Sequence, residues 1–290
     1  MSTDSIDIAV HAGALPDVLC EQLAVVGQQG IAGFSDDRPV SASLVRSRLT
    51  NALTGAPPVL VLARAGEELV GWCAVRHPEP HEARARLWGP VVDPRVRRSG
   101  LGSRLLREVT GLVVWPLVTT DVPVDRPGAA EFFARAEWRV LHEVTVLRSV
   151  PVLRDTTTTT NGAGFADLED YVAAAARRFG GYPAGFAEAT LRRWRDDPRF
   201  RPEHLLLDPP TGSLLLALAQ HSEAGSELLL AEVWAEPAAR RPLIQAARTL
   251  AAHQGLEVVR AVTRDDPAPF IACGMTVGGR CLIFTPPGDR

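Results

Sequence analysis

Two stretches of the chain say nearly the same thing. Residues 93–106 read DPRVRRSGLGSRLL and residues 236–250 read EPAARRPLIQAARTL. Placing Pro94 on Pro237 brings Arg97 onto Arg240 and Arg98 onto Arg241 with no gap. In both, an apolar strand-like run ends at an acidic residue and a proline, and an amphipathic helical pattern follows. A repeated strand, basic loop and helix predicts two copies of one fold. A length of 290 residues agrees, at roughly 150 residues per domain.

The pattern on either side of the repeated stretch is mixed α/β. A strand is expected at Ile6 to Val10, helices at 14–27 and 41–53, and strands in PVLVLAR, ELVGWCAVR and ARLWGPVV. A helix from Gly100 to Leu112, a strand in WPLVTTDV, a helix in GAAEFFARA and a strand in RVLHEVTVLRS complete the first half. The second half repeats the order: two helices, the strands HLLLD, SLLLALAQ and ELLLAEVWA, a helix at 240–254, then strand, short helix and strand to RCLIFTP. The seam is RDTTTTTNGAG. It sets expected domains at 1–153 and 165–290, with residues 154–164 as linker.

Composition narrows the function. A formal net charge of -3 offers no broad basic field, so nucleic acid is not the expected partner and a small molecule is. All 31 basic residues are arginine, which removes Schiff-base and P-loop lysine chemistry. Cys20, Cys73, Cys273 and Cys281 have no CxxC spacing, so neither a metal site nor a disulfide framework is expected. With no basic leader and no run of about 18 apolar residues, the expected location is the cytoplasm, away from any membrane.

A strand that feeds a tight loop and then a helix aims the helix's unbonded N–H groups, at the positive end of its dipole, at whatever lies in front. Phosphate suits that position. Gly100 and Gly102 would let backbone approach a pyrophosphate, with Arg97 and Arg98 as charged donors. In the second copy Leu243 and Gln245 replace the two glycines and Pro242 replaces Ser99. Side chains would then fill the cradle, while a proline in the first helical turn would suit the fold.

VVDPRVRRSGLGSRLL resembles the acetyl-CoA signature of the GNAT N-acetyltransferase superfamily, Q/R-x-x-G-x-G/A at the start of a helix, and the element order over 5–149 is similar to that fold. The resemblance implies two tandem GNAT-like domains, each a mostly antiparallel twisted sheet with a V-shaped splay, the second a degenerate copy. It implies that Arg97, Arg98, Ser99, Gly100, Leu101, Gly102 and Ser103 hold the pyrophosphate of acetyl-CoA and that Val91 and Val92 pair with its pantetheine arm. The implied reaction is direct attack of a small-molecule amine on the thioester, without metal, in a protein able to form oligomers. The alternative is a non-catalytic CoA-binding sensor or interaction module.

The chain departs from the family near 126–138, RPGAAEFFARAEW. Phe133 stands where the family has the tyrosine that protonates the leaving thiolate, Glu137 where it has glycine and Trp138 where it has phenylalanine. Both tyrosines, Tyr171 and Tyr182, lie in the second half. Candidates for the general base are His77, His81, Glu82, Asp121 and Asp125, of which Asp121 is preferred because its strand ends in the slot. In RRFGGYPAGF, Gly180 and Gly181 read as a helix cap.

Overall fold

The computed structural model describes residues 6–31, 40–51, 54–78, 84–126, 128–153, 160–161, 168–197, 199–222 and 225–287. The first repeat runs β1 (Ile6–His11), α1 (Asp17–Ile31), α2 (Ala42–Leu49), β2 (Val59–Ala65), β3 (Glu68–Arg76), β4 (Ala85–Val92), α3 (Leu101–Gly111), β5 (Val118–Pro123), α4 (Ala129–Arg135) and β6 (Arg139–Ser149). The second runs β7 (Thr160–Asn161), α5 (Leu168–Gly180), α6 (Ala184–Asp196), β8 (Leu205–Asp208), β9 (Ser213–Ser222), β10 (Gly225–Trp234), α7 (Pro237–His253), β11 (Val258–Thr263), α8 (Ala268–Ile271) and β12 (Thr276–Thr285). The two orders are identical, and the two-residue β7 is the one strand the sequence pattern did not suggest.

The chain forms two compact units, residues 1–141 with 282–290, and residues 142–281. That division does not run through the expected linker. Most of β6 belongs to the second unit, where Thr145 to Ser149 pair antiparallel with β11. The end of β12 belongs to the first, where Phe284 packs on Phe133. Each repeat therefore gives part of its last strand to the other unit. Of the expected linker, residues 154–159 and 162–164 lie outside the described residues.

In the first unit β1, β2, β3 and β4 are antiparallel neighbours, and β4 runs parallel to β5. The sheet is covered on both faces, so its strands are almost continuously apolar. Leu60, Leu62, Trp72 and Ala74 point to the side of α1 and α2, where they meet Leu19, Leu23, Val45 and Leu49. Val61, Ala63, Cys73 and Val75 alternate with them and meet Leu101, Leu105 and Val109 of α3. Trp72 is fully buried and donates its indole N–H to the Leu23 carbonyl at 3.1 Å, which fixes α1 to β3. Burying Leu101, Leu105, Leu106 and Val109 contributes roughly 6–12 kcal/mol before entropy, at about 1.5–3 each. The second unit repeats the scheme, with Leu215 and Ala217 facing α7, and Leu214 and Leu216 facing α5.

Gly71 lets α3 lie this close. A Cβ there would stand 3.1 Å from Leu105 Cδ1 and 3.2 Å from the Val91 carbonyl oxygen, and the ladder holds that oxygen in place. At the end of β4 the Asp93 N–H bonds the Val70 carbonyl at 2.9 Å. Its buried carboxylate accepts from the Arg95 backbone N–H at 2.8 Å and from Arg95 Nη2 at 2.7 Å, and Arg95 also reaches Glu68. These bonds set the 3₁₀ turn Pro94–Val96 that launches the loop before α3.

Two outcomes follow. Gly71→Ala should cost about 1–3 kcal/mol through overpacking, read as a lower urea midpoint. The bond from Arg95 holds the Asp93 carboxyl below the usual carboxylate range, so its contribution is complete above the unfolded pKa of about 3.9 and is lost as pH falls through the folded value. Asp93→Asn should therefore cost about 1–2 kcal/mol at pH 7 and flatten the acid limb of stability below about pH 4. Urea titrations at pH 7 and pH 3 would show both effects.

Candidate functional site

Strands β4 and β5 touch only at their start. Ala85 pairs with Val118 and Arg86 with Thr119, and no further β4–β5 pair forms among the described residues although both strands continue. β4 meanwhile keeps its other partner, β3, up to Val92. The result is an open wedge on the β5 side of β4. A bulge lies at its middle: Trp72 pairs with Val91 and Ala74 with Trp88, so Gly89 and Pro90 together face Cys73. Gly89 has φ +111°, and Pro90 has no N–H to leave unbonded.

The extra residue sets which backbone groups face the wedge. The Asp93 N–H bonds β3, and the Val91 carbonyl lies against Gly71 of β3. By alternation Val92 turns its N–H and C=O outward, and that carbonyl accepts from Arg97 Nε at 3.2 Å. Of the two residues expected along the pantetheine arm, Val92 presents backbone to the open side and Val91 presents it to β3.

After the 3₁₀ turn the chain passes Arg98 at φ +64° and Gly100 at φ +81° and enters α3 at Leu101. Gly100 is the N-cap residue and gives no side-chain cap. The first helical bond is Arg104 N–H to the Gly100 carbonyl, 3.1 Å. Among the described residues no backbone acceptor serves the N–H groups of Arg98 to Ser103. A run of free amides therefore meets the positive end of the α3 dipole. A Cβ on Gly100 would meet nothing within 4 Å, so its glycine answers to φ and to the space in front. Gly102 lies beside Phe132 and Pro90, with a Cβ placed 3.4 Å from the Phe132 ring. Leu101 is buried in the core and offers only backbone, Ser99 Oγ bonds the Val96 carbonyl at 2.8 Å, and Ser103 is exposed on the first turn. Arg98 is exposed and has no hydrogen bond or ion pair among the described residues.

The second copy lacks this loop for a different reason from the one expected. Helix α7 begins at Pro237, seven residues earlier than α3 in the alignment of Pro94 with Pro237. Pro242 is therefore inside the helix rather than in its first turn. Leu243 is fully buried in the unit's core and fills no cradle. Without a left-handed glycine to interrupt it, residues 237–243 remain helical and the cradle never forms.

Phe133 is buried against Trp138, Phe284 and Phe132, and a phenyl ring has no proton to give. Glu137 has φ +64°, the backbone of the glycine the family places there. Asp121 lies within β5, exposed, with its carboxylate 3.9 Å from Arg86. Asp125 is exposed beyond the strand, and His77 packs edge-on against Trp115 at 4.4 Å. His81 and Glu82 lie outside the described residues. Tyr171 donates to the Ser213 carbonyl at 2.9 Å, and burial pushes its phenol up to about 12. Tyr182 packs on Trp234, and Gly181 at φ +71° caps α5. Trp72 is core, while Trp88 is half-buried with the Arg48 guanidinium 5.1 Å from its ring.

Thr119 escaped the sequence reading. Its buried hydroxyl has no hydrogen-bond partner among the described residues, and it stands at the last β4–β5 pair before the strands part. The polar run within VTTDV, in an otherwise apolar strand, was the available signal. No group of three or more His, Cys, Asp or Glu suited to a metal occurs among the described residues. No helix among them is long and apolar enough to cross a membrane.

Comparison with known proteins agrees with this geometry. Residues 33–136 match the profile of the acetyltransferase (GNAT) family. A GCN5-related N-acetyltransferase from Sphaerobacter thermophilus is similar over 100% of this chain and 98% of its own, with 17% identity and a TM-score of 0.73. A tandem GNAT protein from the clavulanic acid biosynthesis pathway is similar over 98% and 100%, with 17% identity and a TM-score of 0.57. No curated protein sequence matches the chain. Residues 33–136 thus belong to the acetyltransferase (GNAT) family, and the chain as a whole has the tandem GNAT fold.

Proposed function

We propose that the first unit binds acetyl-CoA and transfers the acetyl group to the amine of a small molecule. The observation that carries this reading is the coincidence of two features: strands β4 and β5 part after two residue pairs, and the free amides of Arg98 to Ser103 lie at the end of the same strand. The amides would hold the pyrophosphate, with Arg98 as the charged partner. The Val92 N–H, facing the wedge, would bond the extended arm of the donor. Acetyl-CoA supplies an activated thioester, and the chain's part is to orient it and keep its face open to the amine.

In the transfer, the amine nitrogen forms a bond to the carbonyl carbon, the C–S bond breaks, and the thiolate leaves with the electron pair. The attacking ammonium must first give up a proton. Asp121 is the proposed base, on β5 at the open side of the wedge. With phenylalanine at position 133, the thiolate takes its proton from water, and the second proton that the nitrogen sheds as the amide forms returns to water. We place the enzyme in the cytoplasm.

Phe133 also favours a second reading, a CoA-binding module without catalysis. Thiol release from acetyl-CoA against a panel of amines separates the two. Catalysis predicts release with at least one amine and a loss of kcat of about 100-fold or more in Asp121→Asn, with the KM for acetyl-CoA little changed. CoA binding with no thiol release from any amine would replace the first reading by the second. Gly102→Glu, which puts a carboxylate among the free amides, should weaken CoA binding at least about 10-fold by calorimetry while the circular dichroism spectrum stays as in wild type. Unchanged affinity in that variant would remove the loop from the site.

A further inference from the structure

Arg97 has a counterpart that performs the same act where no ligand loop exists. Its Nε donates to the Val92 carbonyl at 3.2 Å, and the Nε of Arg240 donates to the Ala235 carbonyl at 3.1 Å. The same offset of 143 positions relates both members of the two pairs, so the contact is repeated atom for atom. The surrounding backbone differs: Arg97 follows a 3₁₀ turn, whereas Arg240 sits in the first turns of α7. What the two settings share is a carbonyl at or just past the end of a strand whose parallel neighbour pairs only over its first part. Arg97 adds a second tie, from Nη2 to the Gly30 carbonyl at 3.3 Å, which joins the strand end to the close of α1.

We infer that Arg97 is a positioning residue that clamps the outer end of β4, and that the phosphate charge is met by its neighbour Arg98. A side chain kept for contact with ligand has no reason to hold the same contact in the copy without a loop. Arg98 has the opposite character. It is exposed, has no partner among the described residues, and holds a left-handed backbone that a non-glycine residue adopts at a cost, a condition that clusters at ligand sites. The clamp needs N–H donors and the phosphate partner needs charge. The Arg98 assignment rests on the proposed acetyl-CoA site, and the clamp does not.

The test uses the full chain with Arg97→Ala, Arg97→Gln, Arg240→Ala and Arg98→Gln. Hydrogen exchange is followed at the end of β4 and the end of β10. A lost clamp should speed exchange about 3- to 10-fold in Arg97→Ala at β4 and in Arg240→Ala at β10, with partial recovery in Arg97→Gln and no change in Arg98→Gln. Calorimetry with CoA at two salt concentrations should show weaker binding and a flatter salt dependence for Arg98→Gln, and the wild-type salt dependence for Arg97→Gln. Unchanged exchange at β4 in Arg97→Ala would overturn the clamp. A salt dependence flattened as much in Arg97→Gln as in Arg98→Gln would overturn the division of roles. A wild-type chain that binds no CoA would sink the functional reading and the role of Arg98, with the clamp decided by exchange alone.

Discussion

The left-handed backbone at Gly100 decides where α3 begins, and most of the site depends on that start. With φ at +81° the chain cannot run helically from Pro94 into α3, so four residues of loop intervene and the amides before the first helical bond stay unused. In the second repeat no glycine holds this position, α7 starts at Pro237, and the same length of chain spends its amides inside a helix. One backbone angle thus separates a helix that presents donors from a helix that merely packs. The cost is small, because glycine adopts that conformation with no Cβ to clash.

The sheet prepares the other half of the site. Both faces are buried, so β4 cannot slip in register without exposing apolar side chains on one side or the other. Its bulge at Gly89 and Pro90 turns Val92 outward, and the proline removes an N–H that would otherwise face the wedge unbonded. Gly71 and Trp72, adjacent on β3, hold α3 and α1 on opposite faces, one by its lack of a side chain and the other by its indole bond to Leu23. Asp93 and Arg95 then fix the turn between strand and loop.

Much of this was legible in the sequence, since it rests on local chemistry. Periodicity located the strands and helices of both repeats apart from β7, and the arginine and proline spacing exposed the duplication. The glycine pair marked the loop because only a left-handed position and close backbone approach call for glycines there. What stayed hidden depends on partners far away in the chain. RVLHEVTVLRS alternates like any strand, and nothing in it says that it pairs with β11. Pro242 reads as a helix start by preference, yet the helix had already begun five residues before it. Arg97 and Arg98 are indistinguishable as letters, while the structure turns one onto a carbonyl and leaves the other exposed. Thr119 looks like an ordinary strand residue until its hydroxyl is found buried with no partner among the described residues.

We propose that the two repeats have divided the work, the first holding the donor and the second keeping the fold. Calorimetric titration of the full chain with acetyl-CoA measures this most directly through its stoichiometry. One molecule bound per chain, with heat abolished by Gly102→Glu, is the predicted result. Two molecules per chain, or one that persists undiminished in that variant, would contradict it.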